Sequence, residues 1–240
     1  MTGLRRNLYI WSTQSCLLVK TVEAHTGRIN KMIALMTGGL NCIITSSVDK
    51  TIKIWDLDSI EEPIHTIERH DLAVEEILVS SHHESVVLTK CRNSVLVWDT
   101  STGSIRNKIA ESMLGTVVSL ARLTGDGQHL LLVESGNFFI WNLVNLTPVY
   151  KEIFETEIID IILHQKQERC FIVTKQGESQ NHQLLVSCRD IPGGSKVYDF
   201  KFPVLRIKPI CITYEGAYLV TVAWEKKVRI NHVIYIFKFS

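Results

Sequence analysis

A chain of 240 residues that is 45% apolar and 21% charged can bury a sizeable core, which excludes a disordered tract. Its net charge of +1 gives no general pull toward nucleic acid or an anionic membrane. No run of about 18 uncharged apolar residues is present, so no membrane-spanning helix is predicted, and an N-terminal stretch broken by Ser12, Thr13, Gln14 and Ser15 does not read as a secretory signal.

From the N-terminus onward, short apolar segments recur and each closes on a tryptophan. They are Leu8-Tyr9-Ile10-Trp11, Ile52-Lys53-Ile54-Trp55-Asp56, Val95-Leu96-Val97-Trp98-Asp99 and Phe138-Phe139-Ile140-Trp141-Asn142. The tryptophans stand 44, 43 and 43 residues apart. A period of about 40–45 residues ending in Trp-Asp predicts four-stranded β-propeller blades. Ahead of the later rungs lie apolar runs such as Cys42-Ile43-Ile44-Thr45, Val86-Val87-Leu88-Thr89 and Leu130-Leu131-Leu132-Val133. Their length and β-branched content predict strands buried on both faces.

Beyond Trp141 the pattern decays. Trp224 lies 83 residues further on, but Thr221 to Asn231 aligns without a gap to Thr45 to Trp55. That register puts Trp224 opposite Val48, beside a turn, and Asn231 on the rung. The intervening rung is predicted at Ser187, for intervals of 46 and 44. The apolar runs Cys170 to Thr174 and Tyr218 to Val222 support two further blades. The expected fold is all-β, a propeller segment of about five and a half four-stranded blades: a half blade at 1–23, then blades at 24–68, 69–110, 111–154, 155–203 and 204–240. A chain that opens halfway through a blade is expected to be a piece of a larger propeller; the alternative is a small ring in which the half blade completes the last one.

These residues resemble the WD-repeat family over nearly the whole chain. The resemblance implies a buried hydrogen-bonded tetrad in each intact repeat, made by a histidine, a hydroxyl, a turn aspartate and the tryptophan. Its roles would fall on His25, Ser46, Asp49 and Trp55 in the first repeat. In the second they would fall on His70, Thr89 and Trp98, with Arg92 where the aspartate should stand. The third repeat keeps Trp141, with Ser135 at the turn and no identifiable histidine. A weaker resemblance is to the WD-repeat portion of NACHT-and-WD-repeat proteins. No Gly-x-x-x-x-Gly-Lys phosphate loop is present, so NACHT nucleotide chemistry would not reside in this piece.

His25, Ser46 and Asp49 are also the ingredients of a hydrolytic triad, but the tetrad accounts for them together with Trp55, and no Gly-x-Ser-x-Gly elbow occurs. His82 and His83 read as a solvated turn rather than metal ligands. The six cysteines, with no Cys-x-x-Cys pair, read as buried reduced thiols. Charge is uneven: residues 56–84 sum to −8, and residues 196–240 to +5. Trp224, off the rung, is a candidate partner-binding anchor, since tryptophan is enriched at interface hot spots. The expectation is a non-catalytic protein-interaction scaffold or sensor module, cytoplasmic, without cofactor or metal, belonging to a larger protein. It would bind a protein partner or an adjoining domain and neither nucleic acid nor membrane. The alternative is a propeller hydrolase with a central-channel site.

Overall fold

Apolar runs separated by polar turns fold this chain into a succession of antiparallel meanders. The computed structural model describes residues 6–37, 39–79, 86–109, 117–164, 168–177, 183–202, 207–212, 218–223 and 233–238. These hold twenty-one strands and, among the described residues, no helix.

The chain divides into two compact units, Met1–Val118 and Ser119–Ser240. The first contains a two-stranded sheet of β1 (Asn7–Trp11) and β2 (Leu18–Glu23). A four-stranded sheet follows, of β3 (Ile29–Thr37), β4 (Leu40–Ser47), β5 (Ile52–Asp56) and β6 (His65–Ile67). The next has β7 (Val74–Val79), β8 (Val86–Cys91), β9 (Val95–Asp99) and β10 (Ser104–Ile109). The second unit begins within β11 (Val118–Leu123), which forms one sheet with β12 (His129–Glu134), β13 (Asn137–Asn142) and β14 (Thr147–Ile153). Another holds β15 (Ile158–Leu163), β16 (Arg169–Gln176), β17 (Gln183–Asp190) and β18 (Lys196–Phe202). The last has three strands, β19 (Ile207–Ile212), β20 (Tyr218–Ala223) and β21 (Val233–Lys238). Two strands, four sets of four and a final set of three are the all-β blade organisation expected from the repeats.

Each complete sheet grades from a buried middle to a polar outer strand. The second strands β8 and β12 are buried on both faces over four or more consecutive residues, whereas β14 is exposed or half-buried at every position. Strands shielded by neighbours on both sides can be apolar throughout, while an outer strand needs polar groups against edge pairing. In the first unit, Cys42, Ile44, Ile52 and Ile54 pack against Val74, Ile77, Val87 and Trp98 of the following sheet. Trp55 packs against Leu8 and Val22 of the preceding one. In the second unit, Leu131, Phe138 and Ile140 pack against Ile158, Ile161 and Ile172.

The rung position has a backbone signature. Between the third and fourth strands the pairing register shifts beside Trp11, Trp98 and Trp141. In the fourth complete sheet the shift lies at Cys188/Arg189. Asp190 then repeats the role of Asp99: the Gly103 N–H donates to the Asp99 carbonyl, and the Gly194 N–H to the Asp190 carbonyl, each at 2.9 Å. The rung is therefore Arg189, not Ser187. In the last sheet, Leu219 pairs with Phe237 as Ile43 pairs with Trp55, which puts Phe237 on the rung. Asn231, the sequence-derived choice, lies outside the described residues and precedes β21. The cause is the connection between second and third strands. It has four residues after β4 but six after β16 and nine after β20, so an ungapped alignment falls short.

Candidate functional site

The polar groups best placed for chemistry lie inside the blades. His25 precedes β3, Thr45 sits on β4, Asp49 on the β4–β5 turn and Trp55 on β5. Asp49 Oδ2 is 3.0 Å from His25 Nδ1, and His25 Nε2 is 2.7 Å from Thr45 Oγ1. The Trp55 indole N–H donates to the same Thr45 oxygen at 3.0 Å. An ionised carboxylate only accepts, so Nδ1 carries the proton and Nε2 accepts from the Thr45 hydroxyl. The hydrogen bonds thus run in one direction, from indole to hydroxyl to imidazole to carboxylate. Asp49 also accepts from the Thr51 hydroxyl at 2.7 Å and from the backbone N–H groups of Thr26 and Thr51. Burial alone would raise the Asp49 pKa, but these Thr51 hydrogen bonds and His25 bring it down to about 2. Burial lowers His25 in spite of Asp49. Gly27 is required beside this turn, because a Cβ there would meet the Asp49 backbone nitrogen at 2.8 Å.

The hydroxyl of this cluster belongs to Thr45, not Ser46. Thr45 and Trp55 share one face of the sheet, through the pairs Thr45–Lys53 and Ile43–Trp55, while Ser46 points to the other. Ser46 Oγ is buried without a hydrogen-bond partner among the described residues. In the second complete blade, the Trp98 indole donates to Thr89 Oγ1 at 2.7 Å and His70 Nε2 lies 2.9 Å from it. The β8–β9 turn is one residue shorter: Cys91 N–H reaches Ser94, where Ser47 N–H reaches Thr51. That deletion removes the aspartate's position altogether, so Arg92 does not replace it. The same one-residue difference explains Ser46: counting back from the tryptophan by the shorter repeat's spacing lands one residue late. Without a carboxylate, His70 Nδ1 makes no well-formed hydrogen bond among the described residues. Burial pushes His70 down to about 4, against the Lys50 carbonyl and Asp71, which favour the cation.

The remaining blades lose the cluster stepwise. Leu132 takes the threonine position in the third, pairing with Phe139, and the Trp141 indole N–H is buried without a partner among the described residues. In the fourth, Ile172 takes that position and Arg189 the rung. Arg189 reaches the preceding blade: Nη2 donates to Glu152 Oε1 at 2.7 Å and Nη1 to the Gly194 carbonyl at 3.4 Å. Tyr150 donates to the other Glu152 oxygen at 3.1 Å. Phe154, four residues before β15, stands where His25 and His70 stand before β3 and β7.

An Asp–His–hydroxyl geometry therefore exists, but Thr45 is 0% exposed and already accepts the Trp55 N–H, so no substrate reaches it. Among the described residues no group of three metal-ligating side chains forms. Trp224, His82 and His83 lie outside the described residues. Cys42, Cys91, Cys170 and Cys188 are buried free thiols, Cys16 is exposed, and burial pushes Cys91 and Cys170 up to about 12.

A surface groove of about 310 Å³ in the first unit was not foreseen. It is lined by Lys20, Thr21, Val22 and Glu23 of β2, by Lys53 and Trp55 of β5, and by Glu61, Glu62 and Pro63. Lys20 pairs with Glu61 at 3.0 Å, and the Lys53 ammonium lies 5.7 Å from the Trp55 ring centroid. Nothing in the periodic pattern marks it, because it is built from outer-strand residues that the repeat leaves free to vary.

Comparison with known proteins agrees with the blades. Residues 64–239 match the NWD2 C-terminal beta-propeller family, and residues 16–56 match the WD domain, G-beta repeat. The small ribosomal subunit protein RACK1 of Caenorhabditis elegans is 26% identical over 94 residues, 36% of this chain and 29% of that protein. The nuclear distribution protein PAC1 of Candida tropicalis is 33% identical over 40% of this chain and 20% of its own length. WD repeat-containing protein 37 of Xenopus laevis is 35% identical over 35% of this chain and 16% of its own. The matched part thus spans less than a third of each of these relatives.

Proposed function

The chain belongs to the NWD2 C-terminal beta-propeller family, and from that premise we propose that it is a non-catalytic scaffold or sensor module of a larger protein. It works by binding a protein partner or an adjoining domain, in the cytoplasm, without cofactor, nucleic acid or membrane. WD-repeat relatives are typically interaction scaffolds, which supports the reading. The observation that carries it is the fate of the reactive groups. His25, Asp49 and Thr45 are consumed in holding Trp55, with the hydroxyl fully buried. Four buried thiols fit a reducing compartment.

Chemical crosslinking of the whole chain in cell extract, read by mass spectrometry, tests the reading. Reproducible crosslinks to a defined protein or adjoining domain are expected. Hydrolysis of p-nitrophenyl acetate should be no faster with the wild type than with Thr45→Val. Esterase turnover that Thr45→Val abolishes, in a variant that still folds, would replace this reading with the hydrolase.

A further inference from the structure

We propose that the groove along β2 takes an extended, otherwise neutral polypeptide segment bearing one acidic residue, which adds as a strand to the free edge of β2 and sets that glutamate or aspartate side chain on Lys53. This rests on the reading of the chain as a protein-binding module and names the ligand of one surface.

Two observations meet there. Lys20, Thr21, Val22 and Glu23 are consecutive residues of β2, and all four line the groove. The faces of a strand show alternate residues, so a consecutive run meets a ligand along its hydrogen-bonding edge. That edge pairs with no strand among the described residues, since β2 is joined only to β1. An open edge takes an extended peptide through main-chain hydrogen bonds, with side-chain contacts supplying specificity.

The second observation is charge. Lys53 makes no ion pair or hydrogen bond through its ammonium among the described residues, and its contact is the face of Trp55. Lys20 holds Glu61, whose side chain is 81% exposed, so salt and water loosen that pair readily. Glu23 is engaged by Arg6 at 3.2 Å. The groove therefore offers one unpaired cation, Lys53, held beside the buried Trp55 ring. A carboxylate above Lys53 completes the charge that Trp55 only partly stabilises. Glu62, which also lines the groove, disfavours a run of acids and favours one acidic residue among neutral neighbours.

The probe is acetyl-Thr-Val-Thr-Glu-Thr-Val-Thr-amide, beside its glutamine counterpart and a glutamine peptide with a free C-terminal carboxylate. With the whole chain, the glutamate peptide is expected to bind at least tenfold tighter than the capped glutamine peptide. It should also slow amide exchange across Lys20–Glu23. Lys53→Met should reduce its affinity to the glutamine level, while Lys53→Arg keeps most of it. Equal affinity for both capped peptides, unchanged exchange at β2, or binding of the free-carboxylate peptide alone overturns the assignment. If Lys53→Met does not fold, the wild-type peptide comparison and Lys53→Arg still decide. Crosslinks to a partner elsewhere on the chain, with no response at β2, would sink this proposal while the module reading stands.

Discussion

Thr45 serves two partners at once, so its hydroxyl and its neighbour's have opposite values. Thr45→Val keeps the shape but strands the Trp55 N–H and alters the His25 tautomer network; an unsatisfied buried donor costs about 1–3 kcal/mol. Ser46→Ala removes a hydroxyl that has no partner among the described residues, and is expected to be neutral within about 0.5 kcal/mol or mildly stabilising. Urea unfolding followed by intrinsic tryptophan fluorescence measures both, and an equal loss in the two variants would refute the assignment. His70 gives a pH dependence of definite sign. Its folded value of about 4 lies below its usual 6.5, so the unfolded chain takes up a proton that the folded one resists. Its stabilising contribution is whole above pH 6.5 and drains away as pH falls to about 4, a loss on the order of 3 kcal/mol. Below that, Asp49, usually at 3.8 and here about 2, continues the same trend. His70→Gln should flatten the slope between pH 6.5 and 4; an unchanged slope in exchange protection of β8 would count against this account.

At the scale of the strand and its turn, the four tryptophan rungs, Trp11, Trp55, Trp98 and Trp141, were legible in the sequence. Trp55 and Trp98 close strands whose partners lie at nearly fixed spacing, and the apolar second strands announce themselves by composition. What was hidden is turn length. One residue fewer between β8 and β9 displaced the aspartate assignment, and a count made on that shorter turn moved the hydroxyl from Thr45 to Ser46. Longer connections moved the later rungs to Arg189 and Phe237. Ser187 was a plausible error because a shift of two residues keeps the strand face. Nor does arginine announce itself as a tryptophan substitute. It can stand there because the preceding blade supplies Glu152, whereas Trp55 meets Leu8 and Val22. The Arg189 side chain is 9% exposed and that of Glu152 28%, which sets an asymmetry. Glu152→Gln leaves the deeper charge unpaired and should cost about 3–5 kcal/mol, more than Arg189→Met, which leaves a carboxylate that water can reach. Denaturation of both single variants and the double one reads this, and a costlier Arg189→Met would reverse the assignment.

Across the whole molecule, identity of fold survives where residue identity does not. The family match runs over residues 64–239, including β15 to β18, where the histidine, hydroxyl and tryptophan have all been replaced, and β19 to β21, where Thr221 keeps the hydroxyl position but Phe237 takes the rung. What persists there is the apolar second strand and the bulge beside the rung, as at Phe171 to Val173 and Arg189. Packing demands only hydrophobic alternation, and any pair that satisfies its own polar atoms can take the rung. Surface charge is under no such constraint, which is why the groove on β2 could not be read from the repeat. The −8 carried by residues 56–84 and the +5 carried by residues 196–240, with +4 over the remaining residues, give the whole chain a net +1, so attraction to a polyanion is weak and screened in physiological salt. The whole chain should therefore leave a heparin or duplex-DNA column by about 0.15 M salt. A protein that contacts six or more phosphates would show affinity falling steeply with salt. Retention to several times that concentration, lost when Lys226 and Lys227 are changed to glutamine, would make the basic C-terminal stretch a nucleic-acid surface and remove protein binding as the primary role.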